Sequence, residues 1–351
     1  MRRGGSVLKA LGALVLLLLA AGLLLWRQLD ASMTQRSRAP AGTRIEVSPG
    51  ASLRSVLNEL ARVQALRNPR LIEAYLRLHE APLRAQAGIY ELTPGASARE
   101  ILEQLRAGRV VLSQVTIVEG WDFAQMRLAL NDNAELVHTW RGMSDAAVMA
   151  ALGLSGVAPE GRFFPDTYRF AAGTSDRHIY ELALQRMNEQ LAAEWAARAP
   201  DLPLRGPDQA LILASIVEKE TGREDERAKV AAVFINRLRS GMRLQSDPTV
   251  IYGLGSRYDG NLRRRDLETD GPYNSYTRMG LPPTPIALPG GASLHAALHP
   301  EAIDALYFVA TGAGDGSHQF SATYAEHNAA LMRFLKRTGA KPDSAVSGGK
   351  R

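Results

Sequence analysis

From Val7 to Trp26 the chain is apolar apart from Lys9, a run of leucine and alanine close to the roughly 20 residues that a helix needs to cross a bilayer. The run predicts a transmembrane anchor over 7–26. A cleaved signal peptide would carry a shorter apolar region, about 7 to 15 residues, and a small-residue cleavage site after it. Trp26-Arg27-Gln28-Leu29-Asp30 offers no such site. Arg2, Arg3 and Lys9 precede the core of the span while Arg27, Arg36 and Arg38 follow it, so charge alone does not orient it. Nearly all of the chain lies on the C-terminal side, and the topology expected is residues 1–6 inside and the remainder exported.

The 351 residues leave room for two or three domains, and 46% hydrophobic with 22% charged residues is a globular composition. A net charge of +6 would suit nucleic acid, anionic lipid or a polyanionic wall. Export removes nucleic acid as a partner. With no cysteine, disulfides and cysteine ligands are excluded.

Residues 27–43 are read as a linker, since Ala31 to Thr43 is polar and without periodicity. An internal repeat follows. Val47-Ser48-Pro49-Gly50-Ala51-Ser52-Leu53 leading to Leu60 matches Leu92-Thr93-Pro94-Gly95-Ala96-Ser97-Ala98 leading to Leu105, and Val118 to Phe123 is a weaker third echo. Each copy predicts strand, Pro-Gly turn, serine cap and amphipathic helix; Ser97 with Glu100 predicts a capping box. With a helix over 69–79 and a strand over 88–92 between the copies, the order strand-helix-helix-strand resembles a LysM module, a small fold that grips N-acetylated glycans. The LysM-like domain is placed at 44–115. A spacer or docking surface would leave the same repeat.

Asp208 to Gly222 is an apolar segment that ends in acid, Glu218-Lys219-Glu220. Asp208 is the expected N-cap, and Gly222 the expected left-handed C-terminal residue. At about 100° per residue, Glu220 continues the stripe of Leu213, Ile216 and Val217, whereas Glu218 points away with Leu211 and Ser215. A carboxyl at the edge of an apolar surface is the one whose pKa desolvation raises toward that of a general acid.

Three other stretches are polar and aromatic. Glu160 to Phe170 reads as a turn between strand-like flanks, with Phe163 and Phe170 expected in the core. Residues 242–253 are too polar and aromatic for a plain turn, and 272–283 is expected to run extended under its prolines. Helices are predicted over 178–197, 224–240 and 321–336, and a buried strand over 306–310.

There is no H-E-x-x-H, phosphate loop, dinucleotide fingerprint or G-x-S-x-G, and the seven histidines are read as lacking ligand spacing. No metal and no cofactor are expected. One placed acid among polar-aromatic loops suits glycoside cleavage. An ordinary glycosidase needs a second carboxylate, for which Glu218, Asp247 and Glu160 are candidates. A substrate that supplies its own nucleophile removes that need.

The run Leu213 to Thr221, with Val233-Phe234-Ile235-Asn236-Arg237-Leu238, Leu244 to Gly253, Tyr273-Asn274-Ser275-Tyr276 and Gly280-Leu281-Pro282-Pro283, is similar to the endolytic murein transglycosylases of the YceG-like family. The resemblance extends from the anchor to the terminal helix. It implies an α+β chain: an N-terminal transmembrane helix in the bacterial inner membrane, the LysM-like domain, and a mixed α/β catalytic domain over 116–338 with a lysozyme-like catalytic helix. A disordered tail, 339–351, would follow.

The activity it implies is cleavage of the β-1,4 bond from N-acetylmuramic acid to N-acetylglucosamine in nascent peptidoglycan, without water. One glutamate serves as acid and then base, leaving a 1,6-anhydro end and limiting strand length. Peptidoglycan synthases are the implied partners. In the wider lysozyme-like transglycosylases the catalytic acid precedes a serine, a pattern that Glu220-Thr221 matches and Glu218-Lys219 does not. Gln245, Tyr273 and Asn274 echo further motifs of those enzymes and are carried over as substrate contacts; Tyr252 and Tyr276 are weaker candidates, and Asp247 and Glu218 complete the candidate set. A non-catalytic glycan-binding scaffold and a hydrolytic muramidase are the competing readings.

Overall fold

A computed structural model describes residues 4–48, 50–79, 83 and 85–339. The expected tail from 340 onward and residues 1–3 of the expected inside segment lie outside the described residues. The fold is mixed α+β and divides into two compact units, one of 1–114 with 169–174 and one of 115–168 with 175–351.

In the first unit, α1 (Gly4–Thr34) contains Leu11–Thr34, long and apolar enough to cross a membrane by length and composition. Its last turns belong to the unit's core, with Leu29 and Met33 buried. The segment read as a linker is therefore largely structured: Ser37 N–H donates to the Ala96 carbonyl at 2.8 Å, and Arg36 bridges to Ser97. Residues 27–34 continue α1 and bury Leu29 and Met33, and beyond them the chain is held by backbone hydrogen bonds, which no periodicity announces.

Then come β1 (Arg44–Val47), α2 (Leu53–Arg62), α3 (Pro69–His79), β2 (Gly88–Glu91) and α4 (Ala98–Arg106). β1 and β2 pair antiparallel, Arg44 opposite Glu91 and Val47 opposite Gly88. The repeat holds at the level of local chemistry. Gly50 and Gly95 both take left-handed φ, +74° and +68°, which a side chain would resist. Ser52 and Ser97 both cap the helix that follows, Ser97 in the expected box with Glu100. Apolar residues at helical spacing, Val56, Leu57 and Leu60 in one copy and Ile101, Leu102 and Leu105 in the other, fill one core.

β3 (Leu112–Thr116) pairs with β4, described below. In the second unit, α5 (Phe123–Asp132) starts at Asp122 in a capping box with Gln125, the third echo of the repeat; Leu128 on it is exposed. α6 (Asp145–Ala151), β4 (Thr167–Ala171), whose residues 169–171 belong to the first unit, and α7 (Asp176–Ala197) follow. Phe163 and Phe170 are buried, as expected.

α8 (Pro207–Glu220) is the centre of the larger core. Every residue from Ala210 to Val217 is buried, five of them large aliphatics worth about 1.5–3 kcal/mol each when removed from water. Both expected caps are corrected. Gly206 is the N-cap with Pro207 as the first helical residue, and Asp208 instead pairs with Arg162 at 2.7 Å. The helix ends because Thr221 turns extended, φ −141°, so Gly222 needs no left-handed turn. The two-stripe expectation is also corrected, because Leu211 and Ser215 are as buried as Leu213 and Ile216.

A 3-10 turn, Glu224–Glu226, leads into α9 (Arg227–Arg239), and Gly241 at φ +62° follows. The stretch 242–253 leads into α10 (Asp247–Leu254), with Pro248 in its first turn, and α11 (Arg264–Glu268) comes next. Residues 271–279 are not extended. Asn274 N–H donates to the Gly271 carbonyl, and Thr277 and Arg278 N–H both donate to the Asn274 carbonyl, closing successive turns that Pro272, which needs no partner for an N–H, does not prevent. α12 (Gly291–Leu298) packs on α8. β5 (Tyr307–Ala310) is only partly buried and pairs antiparallel with β6 (His318–Ser321); α13 (Tyr324–Thr338) closes the unit, capped by Thr323 with Glu326.

Candidate active site

Because α8 is buried on all sides, its last residue is held by the whole core and projects where the burial ends. Glu220, half-buried, lies on the wall of a cavity of about 830 Å³ within the second unit. Lys219 lines the same cavity and donates from Nζ to the Gly120 carbonyl at 3.0 Å.

Opposite α8, the loop before α10 is tied down on two sides. Arg237 of α9, buried, donates to the Leu244 and Leu306 carbonyls at 2.5 and 2.7 Å. Gln245 takes a left-handed φ of +51°, a strained region for a residue with a side chain. Its N–H donates to the Ser275 carbonyl at 3.1 Å, and the next N–H, of Ser246, donates to Ser275 Oγ at 2.9 Å. The turn aims the buried Ser246 hydroxyl at α8, where it donates to Glu220 Oε1 at 2.5 Å, the short range of a hydroxyl on a carboxylate. Ser246 was not among the candidate residues, and its signal in the sequence is its place directly before Asp247-Pro248, a helix start.

Two further acids face the cavity. Asp247 accepts from the Tyr276 hydroxyl at 2.5 Å; burial pushes its carboxyl up to about 6, against the lowering effect of Tyr276. Glu160, 5% exposed, accepts from Phe123 N–H at 3.1 Å and from the Tyr252 hydroxyl at 3.1 Å. Burial pushes it up to about 7; both donors oppose the rise and Asp122 adds to it. Burial also raises the Tyr252 and Tyr276 phenols.

Tyr252 and Tyr273 meet edge to face, centroids 4.9 Å apart, and Tyr273 shares a 2.8 Å hydrogen bond with Thr284. These rings, with Ile251 and Ile286, supply apolar wall beside the carboxylates. A close approach behind them depends on Gly161. It sits at φ +77°, and a Cβ there would fall 2.5 Å from Pro285 Cβ.

The cavity thus gathers Glu220, Asp247, Tyr252 and Tyr273 of the candidate residues, and Glu160 with them. It does not gather four others. Asn274 is buried and donates from Nδ2 to the carbonyls of Asp266, Leu267 and Thr269 at 3.2, 3.0 and 2.7 Å, closing the end of α11. Gln245 is exposed outside the cavity lining, and its backbone does the positioning. Tyr276 stands behind Asp247. Glu218 turns away, as helical phase required, and accepts from Gly290 N–H at 3.1 Å. Its charge, after burial, raises the neighbouring Glu119.

Residues 45–333 match the model of the YceG-like family. A protein of Bacillus subtilis named endolytic murein transglycosylase is 30% identical over 318 residues, 85% of this chain and 86% of its own. One of the same name from Streptococcus pneumoniae is 26% identical over 64% of this chain, which spans 46% of that relative. The crystal structure of a YceG-like protein of Listeria monocytogenes is 28% identical, with 82% of this chain and 98% of that one covered and a TM-score of 0.48. By the extent of the family match and of the similarity to the Bacillus subtilis protein, this chain belongs to the YceG-like family.

Proposed function

We propose that this protein is a lytic transglycosylase that cuts peptidoglycan strands internally, with Glu220 as its acid and base. The observation that carries the reading is the Glu220 carboxylate at the end of a helix buried from Ala210 to Val217, on the wall of a cavity of about 830 Å³, with the Ser246 hydroxyl on it. The relatives' name, endolytic murein transglycosylase, supports the substrate.

In the proposed reaction, Glu220 gives its proton to the oxygen between the muramoyl C1 and the glucosaminyl C4 as the C1–O bond breaks. The substrate's acetamido group shares the positive charge on C1. The Glu220 carboxylate then takes the proton of the muramoyl C6 hydroxyl while that oxygen bonds to C1. The products are a 1,6-anhydro end and a free 4-hydroxyl, and the enzyme regains its starting proton. Ser246 stabilises the ionised form between the two steps. Tyr252 and Tyr273 offer ring faces to the sugars, while Glu160, up to about 7, holds a proton near neutrality and can donate to a substrate oxygen.

The LysM-like repeat in the first unit would hold the strand, and α1 would anchor the enzyme in the inner membrane with the catalytic unit in the periplasm. There it could act beside peptidoglycan synthases and limit strand length. The test is digestion of purified peptidoglycan by the full chain in detergent, with products read by mass spectrometry. Anhydro-muramoyl ends are expected, lost in Glu220→Gln and retained in Glu218→Gln. Reducing muramoyl ends would make the protein a hydrolase that uses Glu160 or Asp247 as second carboxylate. No release would make it a scaffold.

A further inference from the structure

Away from the cavity, at the other end of α12, three side chains converge. His295 in the last turn of α12 and His299 just after it stack their rings, centroids 4.3 Å apart and planes 23° from parallel. Glu194, near the end of α7, faces both. Its Oε2 lies 3.0 Å from His295 Nδ1 and 3.5 Å from His299 Nε2. All three donor atoms fall within 4.8 Å of one another. The expectation that the histidines lack ligand spacing is corrected here, since His295 and His299 are four residues apart and one turn brings them to one face.

We propose that Glu194, His295 and His299 form a binding site for a zinc-class divalent transition metal, clamping the end of α7 to α12. Zinc–nitrogen and zinc–oxygen bonds of about 2.0–2.1 Å at tetrahedral angles hold donor atoms about 3.3–3.4 Å apart. The two carboxylate–imidazole separations bracket that value, so little movement is needed at Glu194. Two imidazoles and one carboxylate with water completing the shell is a common zinc donor set.

The backbone is stiff at this point. Ala199 N–H donates to the Leu298 carbonyl at 2.9 Å, and His299 N–H donates to the His295 carbonyl at 2.7 Å. The ligands are half-buried or exposed, with side chains 24%, 60% and 27% accessible for Glu194, His295 and His299, so an ion reaches them from solvent. α12 packs on α8, which carries Glu220 at its far end. An ion here would stiffen the scaffold of the catalytic helix without touching the reaction.

The test uses the full chain in detergent, free of any histidine tag and stripped with chelator. Zinc chloride is titrated by calorimetry, with magnesium chloride as control. One zinc per chain is expected, no magnesium heat, and a higher unfolding temperature with zinc. His295→Ala and Glu194→Gln should each weaken zinc binding about tenfold or more. His295 is exposed, so its loss leaves the fold intact without metal, and a cobalt-loaded wild-type chain should show the absorption of a tetrahedral site that His295→Ala lacks. Absence of zinc binding, or binding that both variants retain at full strength, would overturn the assignment and leave the cluster a hydrogen-bonded contact between α7 and α12.

Discussion

Glu160 carries a stability cost whose size and pH window follow from its surroundings. Burial raises its carboxyl from 4.5 to about 7, while the unfolded chain titrates near the ordinary value. Between those limits the folded state holds the proton more tightly. Its contribution is therefore complete below the unfolded value and lost as pH rises through the folded one. The interval corresponds to about 3 kcal/mol. Glu160→Gln removes the ionisation and keeps an amide oxygen for Phe123 N–H and an amide donor facing Tyr252. The variant should be more stable than the wild type by about 2–3 kcal/mol near pH 8, and by about zero near pH 4. Urea unfolding followed by tryptophan fluorescence reads it, since Trp121, Trp140 and Trp195 belong to the unit that holds Glu160. The difference between the two pH values isolates Glu160 from Asp247 and Glu119, which titrate in both proteins. An equal change at both values would refute a buried, proton-holding Glu160.

Two other changes bear on the scaffold of the site. Tyr276→Phe removes the donor that opposes the rise of Asp247, so that carboxyl should climb above about 6; the variant should lose about 1–3 kcal/mol near pH 8 and much less at about pH 3, below the ordinary value of 3.8, where Asp247 is mostly protonated folded and unfolded alike. A loss independent of pH would mean that packing of the ring, not the hydroxyl, is what matters. Asn274→Ala leaves three carbonyls at the end of α11 without their donor and should cost about 2–3 kcal/mol in thermal or urea unfolding. If it instead weakened substrate binding with stability unchanged, Asn274 would be a substrate contact after all.

Local chemistry was legible wherever neighbours in the chain decide it. The apolar run of α1, the paired glycine turns and serine caps of the repeat, and the apolar body of α8 all follow from short-range patterns. Helical phase put Glu220 and Glu218 on different sides of α8, although the stripe used for it vanished because Ala210 to Val217 are buried all round. Even the four-residue spacing of His295 and His299 was there to be read.

Contacts across long sequence distance were not legible. Ser246 reaches Glu220 from 26 residues away, Tyr252 reaches Glu160 from 92, and Glu194 reaches His295 from 101. A periodic pattern states which face of an element is apolar, but not which element will cover it. So the sequence by itself determined a membrane-length helix, a repeat and a buried helix ending in acid. Only the tertiary structure decided that Gln245 acts through its backbone, that Asn274 closes a helix end instead of facing the cavity, and that burial raises the Glu160 carboxyl to about 7. Each of those outcomes depends on desolvation and hydrogen bonds supplied by residues distant in the chain, and such energies do not exist until the chain has folded.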